Sequence, residues 1–309
     1  MPATLVVLDR FYDRDRLAAL LGDAADVTYA DELEDAARAQ VALGFGRVLG
    51  TDLKARLPAL RGVIAGSTGY DHLDLDALRA RGLVGTNVPD YCTQEVADYA
   101  LACTLAALRG IVDLDQARSR SQWGEALSPG LRRVRGATLG VIGLGAIGSR
   151  IATDAASLGM QVLAYDPFIA PACFARASTR AVKLPELLSS SDVVTVHTPL
   201  DATTRNLIGA PELALMRPHS ALINAARSGI VDLDALAAGL ARNQPAWAFF
   251  DVWESEPPDP EDRRVDAPNL VLTPHSAWYS PDAEAGLYAG IAEATLAIIN
   301  GENPRGRLT

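Results

Sequence analysis

The sequence predicts an α/β protein built from two doubly wound parallel sheets. Two observations predict this class: short apolar runs alternate with helix-length amphipathic segments, and a glycine-rich turn separates one apolar run from the next helix. The spacing favours βαβ units over hairpins, because parallel strands need a crossover connection that is usually a helix. The length of 309 residues is enough for about two domains of ~100 to 200 residues each.

The first third of the chain alternates predicted strands with predicted helices. Three short apolar runs each precede an amphipathic stretch, in the pairs 4–8 and 13–21, 41–43 and 52–60, 63–65 and 73–81. An Ala- and Leu-rich stretch from Thr93 to Ala117 then predicts a long helix. Thr93 is a favoured N-terminal residue, and Glu95 and Asp98 lie where the helix dipole stabilises acids. We expect this helix to link two domains.

The stretch from Arg118 to Arg135 is polar and is interrupted by glycine and proline. It is too broken for a regular helix or strand, and it carries the aromatic residue Trp123. We therefore interpret it as an arm that packs on a second subunit.

The alternation resumes after Thr138 with six predicted strands: 139–142, 161–165, 192–196, 219–223, 246–250 and 269–272. Helical segments such as 146–158 and 233–241 separate them, which matches a doubly wound dinucleotide-binding sheet. A last helix at 283–299 is expected to return to the first domain. The predicted domains are therefore 1–92 with 284–309, and 93–283.

Composition and charge exclude several classes of function. The 28 Lys and Arg against 38 Asp and Glu give a formal net charge of −10, which argues against nucleic acids and anionic membranes as partners. The longest apolar stretch, 100–108, is far shorter than the ~18 residues of a membrane span, and no targeting pattern opens the chain. A cytoplasmic location is expected. The 3 cysteines and 4 histidines show no ligand spacing, so no metal is expected.

A GxGxxG pattern marks the predicted cofactor site. Gly143, Gly145 and Gly148 lie between a predicted strand and a predicted helix. There the first glycine makes a tight turn, the second lets the backbone approach a pyrophosphate, and the third lets the helix pack on the strand. Asp166 ends the next strand. Its distance in sequence from Gly148 is close to the ~20 residues expected for the acid that binds a ribose 2′-hydroxyl. A carboxylate there repels a 2′-phosphate and favours NAD over NADP. The alternative is a glycine-rich turn that binds nothing.

Three ionisable residues, Arg227, Glu256 and His275, come shortly after the last three predicted strands, at the edge where such sheets bind ligands. A guanidinium holds a carboxylate bidentately and polarises the adjacent carbonyl. An imidazole exchanges a proton with an alkoxide, and a neighbouring Glu raises the imidazole pKa. Together these residues predict a 2-oxo acid reductase. The alternatives are a surface ion pair, an exposed acid and a turn histidine.

Further segments extend the pattern along the chain, namely 66–71, 87–91, 96–98 and 197–200. With the glycine pattern and the three ionisable residues, they resemble the D-isomer-specific 2-hydroxyacid dehydrogenase family. The resemblance implies that Arg227, Glu256 and His275 are catalytic, and that Thr68 and Gly69 belong to the substrate-carboxylate site. It implies that the residues lining NAD are Gly143, Gly145, Ala146, Ile147, Gly148, Asp166, His197, Thr198, Pro199, Ala225 and Asp251.

The resemblance also implies an architecture and partners. Members of the family have a Rossmann NAD-binding domain inserted in a flavodoxin-like substrate domain. They are typically homodimers, here expected through the Rossmann domain. The expected partner is a small 2-oxo or 2-hydroxy acid, with no nucleic acid and no membrane.

The segments 251–257 and 273–280 most resemble the C-terminal-binding-protein branch of the family. In that branch the residue matching Trp278 faces the substrate side chain, which with Tyr70 and Tyr91 implies room for an apolar or aromatic 2-oxo acid. A tryptophan packed under the last helix is the alternative. Because the branch includes corepressors, a dimeric NAD-sensing binding protein with vestigial activity is the second functional hypothesis.

Overall fold

The computed structural model describes residues 2–33, 35–44, 56–119, 123 and 130–309. The chain forms two compact units, Met1–Cys92 with Tyr279–Thr309 (unit 1) and Thr93–Trp278 (unit 2). Residues 52–55 of the predicted helix at 52–60 lie outside the described residues, and residues 57–60 are not helical, so the prediction is wrong there. Half of the predicted arm at 118–135, residues 120–122 and 124–129, also lies outside the described residues.

The described part of unit 1 contains one parallel sheet. Its strands are β1 (Ala3–Val7), β2 (Ala25–Tyr29), β3 (Ala39–Gly44), β4 (Gly62–Ala65) and β5 (Val84–Asn87). They pair in the order β2-β1-β3-β4-β5, which is the flavodoxin-like order. Strands β2 and β5 were not predicted, because the side chains of β2 are mostly half-exposed and because Gly85 and Asn87 of β5 are poor strand formers.

Two described helices of unit 1 begin directly after aspartates. Helices α1 (Arg14–Leu21) and α2 (Leu75–Ala80) follow Asp13 and Asp74, whose carboxylates accept hydrogen bonds from backbone N–H groups of the first turn. The side chains of Leu17, Leu21 and Leu78 are buried, so each helix covers the sheet with its apolar face.

Unit 2 contains a larger parallel sheet. Its strands are β6 (Thr138–Ile142), β7 (Gln161–Tyr165), β8 (Arg180–Ala181), β9 (Val193–Val196), β10 (Ala221–Asn224), β11 (Trp247–Phe250) and β12 (Leu270–Leu272). Their order is β12-β11-β10-β9-β6-β7-β8, the dinucleotide-binding order with one further strand. The predicted fold class is therefore confirmed. The six predicted strands are present, and the two-residue β8 was missed because it is too short to show a pattern.

The described helices of unit 2 pack on both faces of this sheet. They are α3 (Thr93–Arg109), α4 (Ile111–Ser119), α5 (Ala146–Ser157), α6 (Pro171–Arg176), α7 (Leu184–Ser190), α8 (Ala210–Leu215) and α9 (Leu233–Leu240). The single helix predicted from Thr93 to Ala117 is wrong. Gly110 adopts a positive φ of 59° and ends α3, after which α4 begins.

The last helix, α10 (Pro281–Asn300), belongs to unit 1 and contacts α1, β3 and β4. Ser280 caps its start by accepting a hydrogen bond of 2.9 Å from the N–H of Ala283, and Gly301 ends it in the left-handed conformation. Among the helices that the structure describes, none is both long and apolar enough to cross a bilayer.

Candidate active site

The cofactor loop, residues 143–148, leaves β6 at the point where the strand order of unit 2 reverses, because β7 and β9 lie on opposite sides of β6. Gly143 has a positive φ of 87°, and a Cβ there would lie 2.8 Å from the carbonyl carbon of His197. At Gly148 a Cβ would lie 2.0 Å from the carbonyl oxygen of Gly143. These two glycines are therefore required by backbone packing alone.

Gly145 behaves differently and provides the test of fit for a dinucleotide. Its φ of −70° is ordinary, and a Cβ built there meets no atom within 4 Å, so packing does not require a glycine. Gly145 and Ala146 are exposed at the N-terminus of α5, where N–H groups lack helical partners and Ile147 is half-buried. An N-terminus with open space in front of it suits an anionic pyrophosphate, so the residues fit the cofactor.

Asp166 follows β7 and joins this loop. Its Oδ2 accepts a hydrogen bond of 2.9 Å from the N–H of Leu144, and its Oδ1 accepts one of 3.0 Å from the N–H of Phe168. The carboxylate is half-buried and retains lone pairs that these bonds do not use. The structure thus brings Asp166 to the glycine loop, as the spacing predicted.

The segment after β9 packs against the cofactor loop. The N–H of His197 donates to the carbonyl oxygen of Ile142 at 2.7 Å, and the His197 ring bonds the hydroxyl of Thr195 at 2.9 Å. Burial lowers the pKa of His197 to about 4, so the ring is neutral at physiological pH. Thr198 lies against Gly143, and its buried hydroxyl oxygen has no hydrogen-bond partner among the described residues. Pro199 next to it is exposed.

Arg227 lies in the loop after β10 and is half-buried. Asn224, the fully buried last residue of β10, fixes this loop. Its amide donates to the carbonyl oxygen of Arg227 at 2.9 Å, and its oxygen accepts from the N–H of Ala226 at 3.0 Å. Half-buried Ala225 lies in the same turn. Asn224 was not predicted as a site residue, although an amide at the end of an apolar strand is a recognisable signal.

Glu256 and His275 are in direct contact. Nδ1 of His275 lies 2.6 Å from Oε2 of Glu256, while Oε1 of Glu256 accepts a hydrogen bond of 2.9 Å from the N–H of Trp253. An ionised carboxylate only accepts hydrogen bonds, so Nδ1 carries the proton. The two residues are 19 apart in sequence, and the loops after β11 and β12 bring them together.

The environment of Glu256 favours its ionised form. Burial, the largest influence, raises the pKa of Glu256. The hydrogen bonds from His275 and from the Trp253 N–H outweigh burial, together with the positive charges of His275 and Arg227, so the net pKa is lowered. Two of the predicted catalytic residues, Arg227 and His275, therefore interact electrostatically with the third, Glu256.

A second set of contacts holds the loop that carries Glu256. The indole Nε1 of Trp253 donates to Oδ2 of Asp262 at 2.8 Å, and Arg264 donates to Oδ1 of Asp262 at 2.9 Å and to Glu254 at 2.7 Å. The hydrogen bonds from Arg264 and Trp253 hold the pKa of Asp262 well below its usual range. This Trp253–Asp262 clamp joins the two ends of the loop, and sequence analysis did not anticipate it.

Asp251, buried at the end of β11, does not project from the loops. Its Oδ1 accepts hydrogen bonds from the Thr273 hydroxyl at 2.6 Å and the Ser276 N–H at 2.9 Å, and its Oδ2 accepts one from the Ala277 N–H at 2.8 Å. Asp251 therefore organises the turn of residues 273–277, in which His275 has a positive φ of 52°. Trp278, half-buried, ends unit 2 directly after this turn.

The predicted substrate-carboxylate loop, residues 66–70, belongs to unit 1 and follows β4. The buried Tyr12 hydroxyl donates to the carbonyl oxygen of Gly66 at 2.8 Å, and the Asn87 amide donates to the carbonyl oxygen of Thr68 at 2.6 Å. The Ser67 hydroxyl donates to the carbonyl oxygen of Gly69 at 2.6 Å, and Tyr70 is half-buried. These bonds hold the loop through its carbonyl groups.

Residues 101–277 match the family model described as D-isomer specific 2-hydroxyacid dehydrogenase, NAD binding domain. The chain belongs to this dehydrogenase family. A glyoxylate reductase of Korarchaeum cryptofilum is 33% identical over 306 residues, which cover 98% of this chain and 85% of that protein. A glycerate dehydrogenase of Methylorubrum extorquens is 35% identical over 258 residues, which cover 81% and 80%.

A solved structure is similar over nearly the whole chain. The D-lactate dehydrogenase of Aquifex aeolicus, complexed with NAD and lactic acid, superimposes with a TM-score of 0.85 and 26% identity, over 97% of this chain and 96% of that one. This 2-hydroxyacid dehydrogenase is therefore an oxidoreductase with an NAD-binding domain in residues 101–277. Among the residues that the structure describes, no three His, Cys, Asp or Glu side chains are grouped to hold a metal ion.

Proposed function

We propose that the protein interconverts a 2-oxo acid and the corresponding (R)-2-hydroxy acid, with NAD as the hydride carrier. The observation that carries this proposal is the contact of 2.6 Å between His275 Nδ1 and Glu256 Oε2, within the field of Arg227. His275 is a proton donor and Arg227 is a cation that can bind a carboxylate. Both lie after the carboxyl ends of strands in the sheet that also carries the cofactor loop.

Each residue of the set has a distinct task. Arg227 binds the substrate carboxylate and polarises the adjacent carbonyl oxygen, which stabilises negative charge as it develops there. When bound, the nicotinamide supplies or accepts the hydride. His275 delivers a proton from Nε2 to the oxygen that was the carbonyl, and in the reverse direction it removes that proton. Glu256 holds Nδ1–H, which fixes the tautomer and stabilises the imidazolium form.

Asp166 supports NAD rather than NADP as the cofactor. Its carboxylate is fixed beside the glycine loop by the N–H groups of Leu144 and Phe168, where it would accept a ribose hydroxyl and repel a phosphate. Asp166→Ser should weaken NADH binding by about tenfold and improve NADPH binding relative to it, as fluorescence titration measures. Equal losses for both cofactors would contradict this assignment of Asp166.

The proposed substrate residues are Thr68, Gly69, Tyr70 and Trp278. Carbonyl groups of loop 66–70 accept hydrogen bonds from protein groups, and the N–H of Gly66 donates to the carbonyl oxygen of Gly44 at 3.2 Å, so the N–H groups of residues 67–70 are the ones proposed to bind an anion. Tyr70 and Trp278 suit a 2-oxo acid with an apolar or aromatic side chain, whereas the relatives named above suggest a small acid such as glyoxylate.

Oxidation of NADH in the presence of glyoxylate, pyruvate and phenylpyruvate tests the reaction and ranks the substrates. We expect turnover with at least one of them, and a preference for phenylpyruvate would support the proposed roles of Tyr70 and Trp278. If NADH binds but no 2-oxo acid is reduced above background, the proposed function is wrong.

Several finer properties stay predictions. They are the likeness to the C-terminal-binding-protein branch, a homodimer through the Rossmann domain, the cytoplasmic location and the domain ranges 1–92 with 284–309 and 93–283. A binding protein with vestigial activity would keep NAD-dependent assembly without Arg227 and His275. The mass in solution of an Arg227→Ala, His275→Ala double variant, with and without NAD, tests this alternative and the dimer together.

A further inference from the structure

A chain of hydroxyl groups runs from helix α3 to the turn that carries His275. The Tyr99 hydroxyl lies 2.7 Å from the Thr273 hydroxyl, which lies 2.6 Å from Oδ1 of Asp251. Asp251 in turn accepts the N–H groups of Ser276 and Ala277, the residues directly after His275. Of the residues in this series of hydrogen bonds, only Asp251 was predicted from the sequence to be part of the site.

The direction of these hydrogen bonds follows from their chemistry. Asp251 is only 1% exposed, and a carboxylate that accepts three hydrogen bonds at 2.6 to 2.9 Å is stabilised as an acceptor. The Thr273 hydroxyl has a single proton, which goes to Asp251 rather than to the carbonyl oxygen of Phe250 at 3.4 Å. The Tyr99 hydroxyl must therefore donate to Thr273.

Tyr99 is suited to this donation. It is half-buried on α3, and burial, as the largest cause, raises the pKa of its phenol well above the usual value, so the proton is retained. The Cys103 thiol one helical turn further on is also kept protonated, because burial raises its pKa to about 11. Bonds that point the same way along such a chain strengthen one another.

We propose that Tyr99 is a positioning residue for His275, acting through Thr273 and Asp251 on the turn of residues 273–277. The turn needs such support, because His275 has a φ of 52°, a conformation that costs energy in any residue with a side chain. The amide of His275 bonds the carbonyl oxygen of Thr273 at 3.0 Å, so a shift of Thr273 moves His275 directly. This inference rests on the proposed function, in which His275 carries the proton.

Tyr99→Phe tests the proposal, since it removes only the hydroxyl. We expect kcat for 2-oxo acid reduction to fall about tenfold with KM for NADH little changed, because a displacement of a catalytic group well below 1 Å has this effect. Thr273→Val should lower kcat at least as much, whereas Thr273→Ser, which keeps the hydroxyl, should have a kcat close to that of the wild type. Thr104→Val is the matched control, because it removes another buried hydroxyl of α3, bonded to the carbonyl oxygen of Ala100 at 2.8 Å.

A double-mutant cycle separates positioning from general loss of stability. If Tyr99 acts only through Thr273, adding Tyr99→Phe to Thr273→Val should lower kcat no further. Effects that multiply, or a kcat for Tyr99→Phe within about twofold of wild type, would overturn the proposal. If Tyr99→Phe does not fold, the difference between Thr273→Val and Thr273→Ser decides whether the hydroxyl chain matters.

A measurement without turnover distinguishes failure of this inference from failure of the proposed function. The chain has 4 histidines, so the imidazole NMR signal of His275 can be assigned by its loss in His275→Asn. Tyr99→Phe and Thr273→Val should shift this signal, and Thr104→Val should not. An unshifted signal would reject the positioning role even if the enzyme is active, and a shifted one would support it even if no 2-oxo acid is reduced.

Discussion

Units 1 and 2 are both parallel sheets, but the loops of each unit that are proposed to form the site contain different chemistry. In unit 1 the described hydrogen bonds of loop 66–70 join neutral groups, and they include those from Tyr12, Asn87 and Ser67 to backbone carbonyl groups. In unit 2 the corresponding loops contain charges, with Glu256 bonded to His275 and Asp262 bonded to Arg264. Neutral bonds shape a loop for binding, whereas proton transfer needs groups that change charge.

The charged loops of unit 2 also separate support from reactivity. Asp251 and Asp262 hold backbone and indole N–H groups and are supported by residues of their own unit. Glu256 alone among these acids bonds a histidine. A loop built in this way keeps its shape when the His275 proton is transferred, because the supporting carboxylates do not take part.

The largest effect should come from replacing His275, which would show that unit 2 holds the acid–base group. His275→Asn should lower kcat/KM for 2-oxo acid reduction by about 10²- to 10⁴-fold, while NADH binding remains. His219→Asn is the matched control, because His219 is exposed and has a φ of 66° against 52° for His275, both tolerated by Asn. Equal activities of the two variants would break the comparison.

Two glycines of the cofactor loop should separate binding from folding. Gly148→Ala places a Cβ 2.0 Å from the Gly143 carbonyl oxygen and should destabilise the protein by about 3 kcal/mol in denaturant unfolding. Gly145→Ala meets no atom within 4 Å and should leave stability unchanged, yet weaken NADH binding at least about tenfold. Tight NADH binding by Gly145→Ala would show that the pyrophosphate does not occupy this space.

Acid should weaken unit 2 through His197. The unfolded His197 takes up a proton near pH 6.5, but the folded ring does so only near 4, so stability is lost as pH falls through this interval. The loss is at most about 3 kcal/mol. All 4 tryptophans lie in residues 93–278, so their fluorescence during urea unfolding reports on unit 2. His197→Gln should flatten this pH dependence, and an unchanged slope would assign it to other groups.

The smallest effect should come from unit 1. Tyr12→Phe removes the bond of 2.8 Å to the Gly66 carbonyl oxygen and should cost about 1 kcal/mol of stability. If loop 66–70 binds the substrate carboxylate, KM for the 2-oxo acid should rise about threefold while NADH binding is unchanged. A fall in kcat at constant KM would instead assign the loop a role in the chemical step.

Predictions from the sequence were right where the pattern is local and were wrong where no local pattern exists. The glycine loop, its flanking strand and helix, and Asp166 are a local pattern, and the structure shows them together. The long helix from Thr93 to Ala117 was wrong because Gly110 ends α3, and a positive φ leaves no periodic signal. The strands β2, β5 and β8 were missed because half-exposed, glycine-containing or two-residue strands lack an apolar run.

The sequence by itself determined the fold class, the cofactor loop and the types of the reactive side chains, because each depends on residues close together in the chain. Only the tertiary structure decided which groups touch. It paired Glu256 with His275 across 19 residues and Tyr99 with Thr273 across 174, and it turned Asp251 inward to hold the turn of residues 273–277. Such contacts depend on where the sheet order places the strand ends, which no local pattern records.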